Sequence, residues 1–209
     1  MKSGRLIAMT DIHGELAKLD SLLNKLNITS SDELVFLGDY IDRGPDSKGV
    51  IDRIISMSDV CKCTYLKGSH EYAYLNARKG EEYYKYLFWN YGGVQTVESY
   101  GSFENIYKVH GKFLDSLRPY YETDKYFFIH AGLRPGIPLE KQNEVDFYYI
   151  RGDFIYHKHD LAKKIIFGHT EFDEPLVQDD KICIDTGCGK YKNAVLTAII
   201  CGSEEFVHS

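Results

Sequence analysis

The chain is expected to be an α/β protein: a two-sheet β-sandwich flanked by helices, with a small helical insertion. Three observations lead there. Up to Leu66, apolar strand-forming runs alternate with helical runs. A helical, aromatic stretch follows over residues 72–122, punctuated by Gly92, Gly93 and Gly101. The second half then offers five short strand-like runs at close spacing, "YFFIHAG", "KIIFGHT", "KICIDTG", "NAVLTAIIC" and "EEFVH". Strands alternating with helices build a largely parallel sheet with helices packed on it. Short strands with no helices between them build an antiparallel or mixed one.

The first strand is "RLIAMT", residues 5–10, and it ends in Asp11-Ile12-His13-Gly14. In "ELAKLDSLLNKLN" the residues Leu16, Leu19, Leu22, Leu23 and Leu26 fall at helical spacing. After the polar break "ITSSDE" comes a second strand, "LVFLG", ending in "DYIDRGPDS". Val50, Ile51, Ile54 and Ile55 then mark one face of a second helix, and "CKCTYL" reads as a third strand leading to Gly68-Ser69-His70-Glu71. Cys61 and Cys63 alternate with Lys62, so both are expected to face the core. The Tyr-rich segment 83–100 suits the core of a helical cap or one wall of a substrate cleft. With no repeat, low-complexity tract or linker, the expectation is one domain over residues 1–209, with a cap-like insertion at about 72–122.

A net charge of −6 leaves no electrostatic footprint for nucleic acid, so a phosphate ligand needs a local positive site. Five cysteines, an odd number without a regular framework, fit a reducing compartment. The run "LIAM" is too short for a signal peptide and "AVLTAII" too short for a membrane span. A cytoplasmic protein with no membrane partner is expected.

Recurrence carries the chemistry. Asp11 and His13, then Asp39 and Asp42, then His70, His130 and His169 all follow apolar strand-like runs. Strands of one sheet that point the same way bring such loops to one edge, where open α/β folds bind ligands. Imidazole and carboxylate suit Mn, Fe or Zn, and a carboxylate can bridge two such ions, which together activate water and hold phosphoryl oxygens. Arg43 and Arg151 are candidate phosphate clamps through bidentate hydrogen bonds. Metal-assisted hydrolysis of a phosphate ester is the chemistry implied.

The motifs "DIHG", "GDYIDRG", "GSHE", "HAG" and "GHT", in this order, resemble those of the phosphoprotein phosphatases within the calcineurin-like metallophosphoesterases, over about residues 10–187. The short chain and "FWNYGGVQTVESYG" are similar to the bacterial and phage branch of serine/threonine phosphatases and symmetrical diadenosine tetraphosphatases. The resemblance implies two divalent metal ions, Mn above all. Asp11 and His13 would hold the first, Asp39 would bridge, and His130, His169 and position 69 would complete the second. His70 would be the general acid, oriented and kept charged by Asp42, with Arg43 and Arg151 on the phosphate.

Two positions depart from the family pattern. Thr10 stands where glycine is usual, and only ordinary β geometry is expected of it. Ser69 stands where an asparagine amide oxygen coordinates the second metal. Its hydroxyl is a weaker donor, so a looser second metal, or a weakened, non-catalytic phosphate-binding relative, are both in view. The first functional reading is a serine/threonine protein phosphatase acting on a phosphoprotein or small phosphate ester. A symmetrical diadenosine tetraphosphate hydrolase, which would share every catalytic residue, is the alternative. Outside the constellation, His110 is expected to be exposed or capping, and "YHKH" at 156–159 a solvated loop. Cys183 and Cys188 are expected to be structural, and Asp185 to serve a turn or support the site.

Overall fold

The computed structural model describes residues 4–209, and its strands fall into two sheets of five. The first holds β1 (Leu6–Met9), β2 (Glu33–Phe36) and β3 (Lys62–Tyr65), joined by β9 (Thr197–Ile200) and β10 (Glu205–His208) in the order β10-β9-β1-β2-β3. β1, β2 and β3 are parallel, while β9 and β10 run antiparallel. The second sheet has the order β4-β5-β6-β8-β7, from β4 (Tyr120–Glu122), β5 (Tyr126–Ile129), β6 (Lys164–Phe167), β7 (Leu176–Val177) and β8 (Lys181–Cys183). β5, β6 and β8 are parallel and the two edge strands antiparallel, so both sheets are mixed.

Each central strand is buried on both faces, and its side chains alternate between two cores. Ala8, Val35, Phe128, Ile166, Ile182 and Ile199 fill the space between the sheets. Ile7, Met9, Leu34 and Phe36 point the other way, against α1 (Leu16–Leu26) and α2 (Ser47–Ser56). Phe127, Ile129, Ile165 and Phe167 pack outward against α7 (Glu144–Tyr149) and α8 (Gly152–Ile155). The layers are therefore helix, sheet, sheet, helix. The aromatic stretch forms α3 (Ser69–Arg78), α4 (Glu82–Asn90), α5 (Gly93–Tyr100) and α6 (Phe103–Ser116). It joins the first outer core through Tyr74, Phe88, Tyr100 and Ile106, and residues 120–122 already belong to the second sheet.

Two expectations are corrected here. Helices do lie between the strands of the second half: α7 and α8 provide the crossover that the parallel pair β5 and β6 requires. At six and four residues they are too short to show a helical period. His110 is buried rather than exposed, at a kink in α6, with Nδ1 2.6 Å from the Tyr100 hydroxyl and Nε2 3.0 Å from Asp52 Oδ1. Cys61 and Cys63 do pack into the first outer core, one buried and one half-buried. His157 is exposed, but His159 lies over Phe154 with Nε2 2.9 Å from the Asp180 carbonyl oxygen. No helix among the described residues is long and apolar enough to cross a membrane.

Candidate active site

The ends of β1, β2, β5 and β6 are stitched together by their backbones. The Asp11 N–H donates to the Gly38 carbonyl at 3.1 Å, His13 N–H to Asp39 at 2.9 Å, and Gly168 N–H to His130 at 2.8 Å. Beyond these ends the chain turns sharply. Asp11, His13, Asp39, Asp42, Arg43 and His169 all take positive φ, from 48° to 73°. Side chains other than glycine avoid this region, and such backbone strain concentrates at functional sites. Two glycines permit the close approaches that result. A Cβ on Gly68 would lie 2.1 Å from Asp39 Oδ1, and one on Gly92, at φ 110°, would lie 2.4 Å from the Arg43 nitrogen.

All seven expected Asp and His residues are buried in one cluster, with Asp39 at its centre. Asp39 Oδ2 is 3.3 Å from His130 Nε2, 3.7 Å from His13 Nε2 and 3.9 Å from His70 Nε2. One ligand atom each of His13, Asp39 and His70 lie within 4.8 Å of one another, and so do those of Asp39, His130 and His169. Asp11 stands beside the first group, with Oδ1 3.7 Å from His13 Nε2 and Oδ2 accepting the His169 N–H at 3.1 Å.

These donors fit divalent cations. The His13 and His130 Nδ1 atoms lie 3.0 Å from the carbonyl oxygens of Ile41 and Leu37, which fixes each Nδ1 as the protonated nitrogen and turns Nε2 inward. The Nε2 atoms of His13, His130 and His169 are buried and have no hydrogen-bond partner among the described residues. An unsatisfied buried nitrogen costs about 1–3 kcal/mol, so three in one cluster call for a ligand. Burial and Arg43 push His13 down, and burial with His130 and Arg151 pushes His169 well down, so both are neutral. Burial favours a protonated Asp39, but the surrounding imidazoles, His130 foremost, hold it well below the usual carboxylate range. His130 is raised to about 9, against burial, by Asp39; a cation seated there competes with that proton.

Ser69 opens α3, buried, with Oγ donating to Asp39 Oδ2 at 3.1 Å. Its hydroxyl is thus engaged with the shared carboxylate. Next to it, His70 Nδ1 lies 2.7 Å from Asp42 Oδ2, and its Nε2 lies 3.3 Å from Arg43 Nη2. Burial lowers His70, but Asp39 and Asp42 outweigh that and raise it. Arg43 and Arg151 both line the cleft above the cluster, and Arg151 Nη1 donates to the His169 carbonyl at 2.8 Å.

Several supporting residues escaped the sequence reading. Thr10 adds a contact to the β geometry expected of it: its hydroxyl donates to Asp11 Oδ2 at 2.6 Å. Glu71 accepts the N–H groups of Asp39, Tyr40, Ile41 and Gly68, and so pins the β2 loop to the start of α3. Burial and the Asp39 charge push it up to about 7, against His70 and the N–H groups of Tyr40 and Asp39. Thr96 on α5 donates to Asp42 Oδ1 at 2.6 Å and accepts the Asp42 N–H at 2.8 Å. Asp185 is buried and accepts the Gly187 N–H at 2.9 Å, a turn role as expected; burial and Asp11 push it well up. The buried Cys183 and Cys188 thiols are pushed up by burial, which suits a structural part.

The cleft holds about 590 Å³. Its lining is cationic at Arg43, Arg151 and Lys190 and aromatic at Tyr83, Phe88 and Tyr91. Tyr83 and Tyr91 are more than half exposed, so the tyrosine-rich segment does form a wall of the cleft as well as packing through Phe88.

Comparison with known proteins agrees with this geometry. Residues 4–202 match the family model of calcineurin-like phosphoesterases. Two curated relatives, from Oceanobacillus iheyensis and Anoxybacillus flavithermus, are named asymmetrical bis(5'-nucleosyl)-tetraphosphatase. Each is 28% identical to this chain, over 85% of it and 82% and 83% of their own lengths. A crystal structure of a candidate diadenosine tetraphosphatase matches all of this chain and 94% of its own, with a TM-score of 0.77 and 21% identity. A serine/threonine phosphatase from Saccharomyces cerevisiae shares the fold at a TM-score of 0.64 and 14% identity, over 99% of this chain and 79% of its own. The family match spans nearly the whole chain, and the chain belongs to the calcineurin-like phosphoesterases, hydrolases of phosphate esters that use divalent metals.

Proposed function

We propose that the protein hydrolyses dinucleoside polyphosphates such as diadenosine tetraphosphate. The observation that carries this reading is the cleft of about 590 Å³, whose lining combines the cations Arg43, Arg151 and Lys190 with the exposed rings of Tyr83 and Tyr91. Cations take a phosphate chain and aromatic faces stack on a nucleobase. The names of the curated relatives support it. It reverses the order expected from sequence, where a serine/threonine protein phosphatase came first, and it favours the asymmetrical cut over the symmetrical one.

The roles follow the geometry. Asp11, His13 and Asp39 would hold one divalent cation and Asp39, His130 and His169 a second, with Ser69 acting through its bond to Asp39. Mn, Fe and Zn suit this donor set. Bound there, two such ions polarise phosphoryl oxygens and lower the pKa of water. Arg43 and Arg151 hold the reacting phosphate from the cleft. His70, its Nδ1–H given to Asp42, turns Nε2 toward the cleft and hands its proton to the leaving oxygen.

The test compares kcat/KM for diadenosine tetraphosphate with that for a phosphoserine peptide. We expect the dinucleotide to be favoured at least about tenfold, since only it offers both a phosphate chain for the cations and a base for the aromatic rings. A preference for the peptide would restore the protein phosphatase reading. The products decide the cut: ATP and AMP from the asymmetrical reaction, two ADP from the symmetrical one.

A further inference from the structure

Lys190 lines the same cleft as Arg43 and Arg151, and the roles proposed above leave it without one. It follows Gly189, whose φ of 73° turns the chain against the site. A Cβ there would lie 2.5 Å from the Cβ of His13. The turn therefore carries Lys190 to the cleft rim, where its side chain stays 42% exposed.

Glu171, two residues after His169, faces this rim with both carboxylate oxygens. Oε1 pairs with Lys190 Nζ, and Oε2 lies 3.7 Å from Arg151 Nη1. Within the described residues, the side-chain hydrogen bonds of Arg151 all run through Nη1, to the His169 carbonyl and to Thr170 Oγ1. That leaves Nε and Nη2 for a ligand. A carboxylate that spans two cations stands where an oxyanion would, because a phosphate offers two oxygens at nearly the same spacing. A phosphate monoester is already served by the two arginines, so a third cation suits a longer anionic chain.

We propose that Lys190 and Arg151 form a second anion subsite beside the reacting phosphate, which takes a further phosphate of a polyphosphate chain, and that the Glu171 carboxylate keeps this subsite until the substrate displaces it. The proposal deepens the dinucleoside polyphosphate reading and rests on it. Lys190 thereby becomes a specificity residue: it separates polyphosphates from monoesters.

The experiment measures inhibition of p-nitrophenyl phosphate hydrolysis by tripolyphosphate and by orthophosphate, with free metal ion held constant. The quantity read is the ratio of the two inhibition constants, which a change in overall turnover does not affect. In Lys190→Gln the preference for tripolyphosphate should fall about tenfold, the loss of one charge-assisted contact. In Glu171→Gln it should rise about threefold, a gain that a misfolded variant cannot produce. An unchanged ratio in Lys190→Gln overturns the subsite. A reduced preference in Glu171→Gln overturns the displacement by substrate, since Glu171 would then support the anion. If tripolyphosphate responds as expected but diadenosine tetraphosphate is not hydrolysed, the subsite stands and the substrate reading falls.

Discussion

Ser69 brings one hydroxyl to the carboxylate that both candidate cation groups share, at 3.1 Å from Asp39 Oδ2. An amide at this position would offer a carbonyl oxygen directly. In Ser69→Asn, half-maximal activity should need about tenfold less Mn, within the range by which residues around metal ligands change affinity. A metal titration of both proteins checks this, and equal requirement with equal rate contradicts it. As the proposed general acid His70 would act only while protonated, and it is raised against burial by Asp39 and Asp42. Turnover is therefore full below that raised value and lost as pH rises through it. Asp42→Asn removes one source of the rise, so the alkaline limb of kcat should move to lower pH; a limb that stays in place would remove Asp42 from this role. At this scale the sequence was legible wherever chemistry sits next to a strand end: Asp11, His13, Asp39, His70, His130 and His169 announce themselves by recurrence. Thr96 and Lys190 do not, because their partners are 54 and 19 residues away and nothing local marks them.

The elements hold these residues through a few buried ties, and one of them sets a stability test. Asp32, just before β2, accepts from the Arg5 N–H, Nε and Nη2, and from the Thr29 N–H and hydroxyl. Arg5 above all, against burial, holds it far below the usual carboxylate range. The folded state thus binds fewer protons at Asp32 than the unfolded chain, whose value is about 3.9. Its contribution is fully present above that value and is lost as pH falls toward the depressed one. Asp32→Asn should cost about 1–3 kcal/mol at pH 7 and flatten the acid limb of stability. Urea unfolding of the two proteins at pH 7 and pH 3 reads both effects, and equal midpoints at pH 7 contradict the tie. The long elements were legible, since α1 and α2 show their leucines, isoleucines and valines at helical spacing and the central strands are continuous apolar runs. What escaped was short or decided at a distance: α7, α8, and the antiparallel placement of β9 against β1, which depends on pairing across most of the chain.

Across the described residues, two mixed sheets share one apolar interface and bring four strand ends to a single edge. Seven buried Asp and His side chains meet there, and three imidazole nitrogens among them have no hydrogen-bond partner among the described residues. The family and the layered fold could be read from five ordered motifs, and the tyrosine-rich segment was one candidate for a cleft wall; the assembled cleft could not be read, because α4, the turn after β8 and the loops after β2 and β6 meet there only in the fold. The most direct measurement of the central claim is metal content against turnover. Protein stripped with a chelator should be inactive, regain hydrolysis of diadenosine tetraphosphate on adding Mn, and bind about two ions per chain. His130→Gln should leave about one ion and little turnover. Full activity in the stripped protein, or no bound metal in the active one, would contradict it.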